Sequence, residues 1–199
     1  MEIVRKKNKL VFGIGVNDAN YRVAWHSEGK KEQCQIYTKW KSMLMRCYCE
    51  KYLSKKPTYS DCSVHPEWLV FSKFKAWMEQ QDWQGKQLDK DLLFHGNKTY
   101  CPETCVFIDA KTNLFLTDNA VNRGDYPIGA CWNAEKNKFQ AFCRNPLTKK
   151  TEHLGYFPTP EVAHAAWRQR KHEFACQLAE TQSDPRVAKA LRERFAPLN

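Results

Sequence analysis

The chain has 199 residues, 42% of them apolar and 13% aromatic, enough to bury a core in one large domain or two to three small ones and too many for wholesale disorder. Thirty-two Lys and Arg against 22 Asp and Glu give a formal charge of +10, which suits either a nucleic-acid partner or a merely basic surface. No apolar run approaches the roughly 18–20 residues that span a bilayer, and the opening MEIVRKKNKLVFG lacks the apolar stretch of a secretory signal, so no membrane partner and a cytoplasmic location are expected.

Residues 1–35 read as a loose, partly extended arm broken by Gly13, Gly15 and Gly29. From Ile36 the pattern turns helical, with Ile36, Trp40, Met43, Leu44, Cys47 and Tyr48 at three- and four-residue steps. SKKPTYSD (54–61) reads as a loop. Pro66 then opens a second helix that carries Val70, Phe71, Phe74, Trp77 and Met78 on one face. A strand over Gln87–Leu93, a loop punctuated by Gly96-Asn97, a strand over Cys105–Ile108 and a short helix over Ala110–Leu116 follow. Residues 119–126 are polar and read as a linker.

The remainder is a different unit. Ile128–Asn133, Phe139–Arg144 and Glu152–Phe157 are short strands joined by the AEKNK and NPLTKKT turns. Thr159 caps a helix with Pro160 at its first position and Glu161 in its first turn, where the helix dipole favours an acid. Ala163, Ala166, Trp167, Phe174 and Leu178 form its inward stripe, and Asp184-Pro185 opens a last helix using Val187, Leu191 and Phe195. The expected class is α+β. Its parts are an arm (1–35), a helical region running into a strand–loop–strand–helix unit (36–118), the linker, a three-strand-plus-helix domain (127–180) and a C-terminal helix (181–199).

Positive charge is concentrated in two stretches. Residues 29–59 hold Lys30, Lys31, Lys39, Lys41, Arg46, Lys51, Lys55 and Lys56, and residues 136–153 hold Lys136, Lys138, Arg144, Lys149 and Lys150 against Glu152 alone. Both interleave aromatics, as phosphate-tracking surfaces do, which favours a nucleic-acid partner. Nine cysteines, an odd number without a secretory signal, argue against a disulfide framework. Cys34, Cys131, Cys143 and Cys176 stand alone and read as small core residues.

LDKDLLFHGNKTYCPETCVFID followed by AKTN, over residues 88–113, resembles the HNH (His-Me finger) motif of phage homing-type endonucleases. The preceding YTKWKSMLMRCY and YSDCSVHPEWLVFSKFKAWM segments resemble the helices that lead into it. The resemblance implies a single divalent ion, Mg²⁺ or Mn²⁺ given oxygen ligands, that stabilises the leaving 3′-oxygen of a DNA phosphodiester. Asp89 matches the first metal ligand, Asn113 the ligand on the helix, and Asp91 supplies a further carboxylate. The sequence departs from the motif where Lys90 occupies the general-base His position and Thr104 the central Asn position. A lysine is mostly charged near neutral pH and is a poor base unless desolvated, so Lys90 serves either as such a base or as a phosphate clamp. His95 is the substitute base on the loop. Cys62-x2-His65 and Cys101-x3-Cys105 flank the motif at spacings that could close a structural zinc site, with Cys47 or Cys49 as replacements, or else they face the core.

GACWNAEKNKFQAFCRNPLTKKTEHLGYFPTPEVAHAAW resembles the three-strand-plus-helix DNA-binding domain of plant ethylene-response transcription factors, which also accompanies phage HNH nucleases. The resemblance implies a sheet lying in the major groove of double-stranded DNA. Trp132, Lys138, Gln140, Arg144 and His153 are then the contact residues, and Phe139, Ala141 and Cys143 pack on the helix. The expected function is a metal-dependent HNH-type DNA endonuclease. Its alternatives are a catalytically inactive DNA-binding regulator on the same scaffold and a protein-binding module.

Overall fold

The computed structural model describes residues 10–117 and 125–196. The first nine residues of the expected arm and positions 119–124 of the expected linker lie outside that range. The chain is of mixed α+β class and forms two compact units that divide between Phe107 and Ile108. Among the described residues no helix is long and apolar enough to cross a membrane.

The first unit is built around α1 (Gln35–Tyr48), which buries Ile36, Tyr37, Trp40, Met43, Leu44 and Cys47 as its periodicity requires. A short α2 (Glu50–Leu53) follows. Trp40 is fully buried, and its indole Nε1 donates to the Trp68 carbonyl at 2.7 Å, so its one polar atom is satisfied inside the core. Tyr37 meets Phe71 edge-on at 5.3 Å, Trp68 meets Phe74 at 5.2 Å, and Trp77 stacks on Phe107 at 5.7 Å.

The expected second helix is interrupted. Pro66–Leu69 form a 3-10 turn, Val70 is extended, and α3 (Phe71–Met78) starts only after it. The cause lies in the arm, where Val16 donates its N–H to the Leu69 carbonyl and accepts from the Phe71 N–H, bridging to Val70. These bonds take up backbone groups at the junction between the two helical pieces. The arm is therefore not loose over this stretch. Val11, Phe12 and Ile14 pack on the core, and a β-carbon at Gly15 would collide with the Leu44 side chain. Further on, β1 (Ala24–Ser27) and β2 (Lys30–Gln33) make a hairpin whose two-residue loop has Glu28 at φ 50° and Gly29 at φ 75°. Both signs are positive, which matches the right-handed twist of the strands.

Two small strand pairings follow. β3 (Ser63–Val64) runs parallel to β5 (Thr99–Tyr100). β4 (Gln87–Asp89) pairs with β6 (Val106–Ile108). β4 is shorter than the expected Gln87–Leu93, because the Asp89 carboxylate accepts the N–H groups of Asp91 and Leu92 and closes a turn there.

The second unit opens with α4 (Ala110–Leu116), capped by Asp109, whose Oδ1 accepts the Thr112 N–H at 2.7 Å. Strands β7 (Ala130–Asn133), β8 (Lys138–Arg144) and β9 (Thr151–Phe157) form an antiparallel sheet in the order β7-β8-β9. Helix α5 (Pro160–Glu180) packs on all three strands, and α6 (Pro185–Arg194) packs on α5. Thr159 and Asp184 cap these helices through their side chains, as expected. The inward stripe of α5 also includes Ala175 and Ala179. Within this unit α4 is tied down by Lys171 of α5, whose ammonium donates to the Phe115 carbonyl at 2.6 Å and stands 3.7 Å from the centre of the Phe115 ring.

Candidate functional site

The face of the sheet turned from α5 is defined by strand alternation and register. Ala141 and Cys143 are buried, as expected of the helix-facing set. Cross-strand partners share a face, so Cys131, Gln140 and Tyr156 form one outer row, Asn133 and Lys138 a second, Phe142 and His153 a third, and Arg144 and Thr151 a fourth. None of these residues is acidic. Glu152, the carboxylate between Thr151 and His153, points to the other face and pairs with Arg170 of α5 at 2.9 Å. Phe142, His153 and Tyr156 make a continuous aromatic patch, with ring centres 5.1 and 4.9 Å apart.

A bulge opposite Ala141 and Phe142 interrupts the alternation along β9. Gly155, at φ 125°, supplies backbone freedom there that other residues lack, and the irregularity keeps both His153 and Tyr156 on the outer face. Lys138 and Arg144 stand at opposite ends of β8, about 20 Å apart at ~3.3 Å per residue, and both are exposed.

Four of the five expected contact residues, Lys138, Gln140, Arg144 and His153, thus lie on one surface. Trp132 does not. Register pairs it with Phe139, on the face of Ala141, where its ring packs edge-on against Phe139 at 4.9 Å. A lone aromatic on a strand does not reveal its side until the register is known. Tyr156 and Phe142 belong to the outer surface and were missed. Counting by two from His153 across an unrecognised bulge gives the wrong face for Tyr156.

In the first unit, the segment read as catalytic folds into a tightly bonded turn. Lys90 is buried at 7% exposure, and its ammonium donates to the Asn97 carbonyl at 2.9 Å and to Asp91 at 3.1 Å. Burial works against the charge, but the Asp91 carboxylate and its hydrogen bond outweigh it and leave the Lys90 pKa above its ordinary value. Lys90 is therefore held as a cation, contrary to a desolvated base, and its buried ammonium is engaged within the turn rather than offered to a phosphate. Asn97 is the hub. Its Nδ2 donates to the carbonyls of Lys90 at 2.6 Å and Thr99 at 2.7 Å and to Thr104 Oγ1 at 3.2 Å, while its Oδ1 accepts the Thr99 N–H. Thr104 returns a bond to the Thr99 carbonyl at 3.1 Å, so the residue at the expected central Asn position staples the same loop. His95 sits exposed on the loop.

Asp89 keeps a carboxylate where an amide oxygen would serve the same two N–H bonds. Burial, and next the charge of Asp91, raise its pKa above the ordinary aspartate value. The folded protein then binds the proton more tightly than the unfolded chain, so this group's contribution to stability falls as pH rises from the ordinary value through the raised one. Asp89→Asn is expected to raise the melting temperature at pH 7, with the gain vanishing below about pH 3.5, where both states are protonated. A lower melting temperature of the variant at pH 7 would show that the surroundings favour the charge.

Of the expected metal residues, Asp89 accepts from two backbone amides through Oδ1 and Asp91 is paired with Lys90. Among the described residues no three His, Cys, Asp or Glu side chains form a metal-ligating group. Cys62, His65, Cys101 and Cys105 are likewise not gathered around a zinc position. Cys62 and Cys105 are buried with thiol pKa values raised by that burial, and Cys47 is pushed up to about 12 by the same cause. Cys101 Sγ lies 3.1 Å from Thr104 Oγ1. These thiols serve the core and the loop.

Comparison of the chain with protein-family models, curated proteins and solved structures finds no match.

Proposed function

We propose that the protein binds duplex DNA through the outer face of β7-β8-β9, with the segment over Gln87–Ile108 acting as a folded HNH-like scaffold rather than as a cleavage site. The observation that carries this reading is the acid-free outer face, with cations at both ends of β8 and an aromatic and amide middle. A spacing of about 20 Å between Lys138 and Arg144 exceeds the roughly 12 Å width of the major groove, so the two can reach the phosphates on its walls while Gln140 and His153 meet base edges. Sheets are established readers of that groove. The buried, charged Lys90 favours the regulator over the enzyme, because a protonated lysine cannot accept a proton from water.

Hydrolysis stands as a second reading on one observation, the Asp89 carboxylate, whose pKa is raised by burial and by the charge of Asp91; perturbed carboxylates cluster at functional sites. A single experiment separates the two. Full-length protein is titrated onto labelled duplex, and supercoiled plasmid is incubated with it in Mg²⁺, Mn²⁺ or EDTA. The expected result is binding without nicking, for the native chain and for Lys90→His alike. Metal-dependent nicking by the native chain overturns the regulator reading. Nicking gained only on Lys90→His would show an intact scaffold that lacks its base. Absence of duplex binding overturns both.

A further inference from the structure

A cavity of about 300 Å³ lies inside the second unit, between α4 and the turn that joins β8 to β9. Four of its lining side chains are cationic: Lys111 from α4, Arg144 and Lys149 from the hairpin, and Lys171 from α5. No described lining residue is acidic. Lys111, Arg144 and Lys149 make no salt bridge among the described residues. Lys171 supports the site differently, by satisfying the Phe115 carbonyl near the end of α4 and so offsetting the partial negative charge that a helix C-terminus brings.

Several cations lining one cavity with no acid among the described lining residues favour an anionic ligand there. The hairpin turn is also held in place. Asn145 Oδ1 accepts the N–H groups of Leu147 and Thr148 at 2.9 and 3.1 Å, and Lys149 sits at φ 62°, a strained backbone for a residue with a side chain. Besides the polar Thr117 and Asn145, the lining has an apolar wall of Leu114, Phe115 and Pro146. Leu114 is 64% exposed and stands beside Phe115 and Pro146. A simple inorganic ion would leave that apolar wall unused, whereas the volume is at the lower end of small-molecule sites.

We propose that this cavity binds a nucleoside phosphate, its phosphate held by Lys111, Arg144 and Lys149 and its base or sugar lying against Leu114 and Pro146. The ligand has two sources with the same chemistry, a free nucleotide or a nucleotide of a DNA strand that continues past Arg144 from the sheet face. The second source rests on the duplex reading above; the first does not.

The test uses the full chain and two variants, Lys111→Ala/Lys149→Ala and Leu114→Glu, all at exposed positions. Thermal melting checks that both variants fold. Calorimetric titration with AMP, ATP and inorganic phosphate is run beside anisotropy of a labelled duplex. Binding of AMP or ATP at least tenfold tighter than inorganic phosphate, lost in both variants, supports the free-nucleotide source. No free-nucleotide binding, with duplex affinity reduced at least fivefold in both variants but unchanged in Lys189→Ala/Arg192→Ala, supports the strand source. Inorganic phosphate binding as tightly as AMP overturns the nucleoside part. Indifference of both variants to every ligand overturns the site.

Discussion

Replacing Lys138 and Arg144 together by alanine is expected to lower duplex affinity about 100-fold or more while leaving the melting temperature nearly unchanged. Both residues are placed on phosphates, and removing a cation from a phosphate weakens binding roughly uniformly across sequences. Both residues are exposed at the ends of β8, so the fold has little stake in them. Sequence preference should stay unchanged with Arg144→Ala alone, because the contact it loses is to a phosphate and carries no base identity. Electrophoretic mobility or anisotropy with matched and mismatched duplexes reads both effects. Equal affinity of the native and doubly substituted chains would remove the sheet face from the account.

The second large effect concerns stability. Asn97→Ala removes three donated hydrogen bonds and one accepted one from the loop between β4 and β5. The Lys90 carbonyl is left without that partner, beside a buried ammonium that depends on the same loop through the Asn97 carbonyl. Unsatisfied buried polar groups cost about 1–3 kcal/mol each, so a total loss of about 3 kcal/mol is expected. Chemical denaturation of the full chain measures it. Asn97→Asp should be less damaging than alanine, since it keeps the acceptor for the Thr99 N–H. A loss below about 1 kcal/mol on Asn97→Ala would mean that the loop is held by Thr104 and the backbone alone.

Much of the fold was legible because it rests on local rules. The stripe Ile36–Trp40–Met43–Leu44–Cys47 settles α1, and Thr159-Pro160 and Asp184-Pro185 mark the starts of α5 and α6 by capping chemistry. Alternation Phe139–Ala141–Cys143 against Lys138–Gln140–Arg144 assigns the faces of β8. What escaped rests on partners distant in the chain. The two-residue strands β3 and β5 are too short to alternate. Val16, some 54 residues before it, settles the break at Val70.

The candidate site shows the same divide. Residue types at Asp89, Lys90 and Asp91 suggest chemistry, yet whether Lys90 is a base, a clamp or a buried strut depends on Asn97, seven positions on. Charge alone reads the same in all three cases. The side on which Trp132 lies follows from its pairing with Phe139, not from its own neighbours. Tyr156 escaped for a related reason, since the bulge at Gly155 shifts the count along β9.

The salt dependence of duplex affinity tests the central claim most directly, because each phosphate contact contributes a slope of roughly −0.9 in log affinity against log salt concentration. It is measured for the full chain, for Lys138→Ala/Arg144→Ala, and for Lys189→Ala/Arg192→Ala on α6, which removes the same formal charge elsewhere in the same unit. The account predicts a steep slope for the native chain, a slope shallower by about 1–2 for the β8 variant, and an unchanged slope for the α6 variant. Equal slopes for the native and β8-substituted proteins, or equal losses in the two variants, would contradict it.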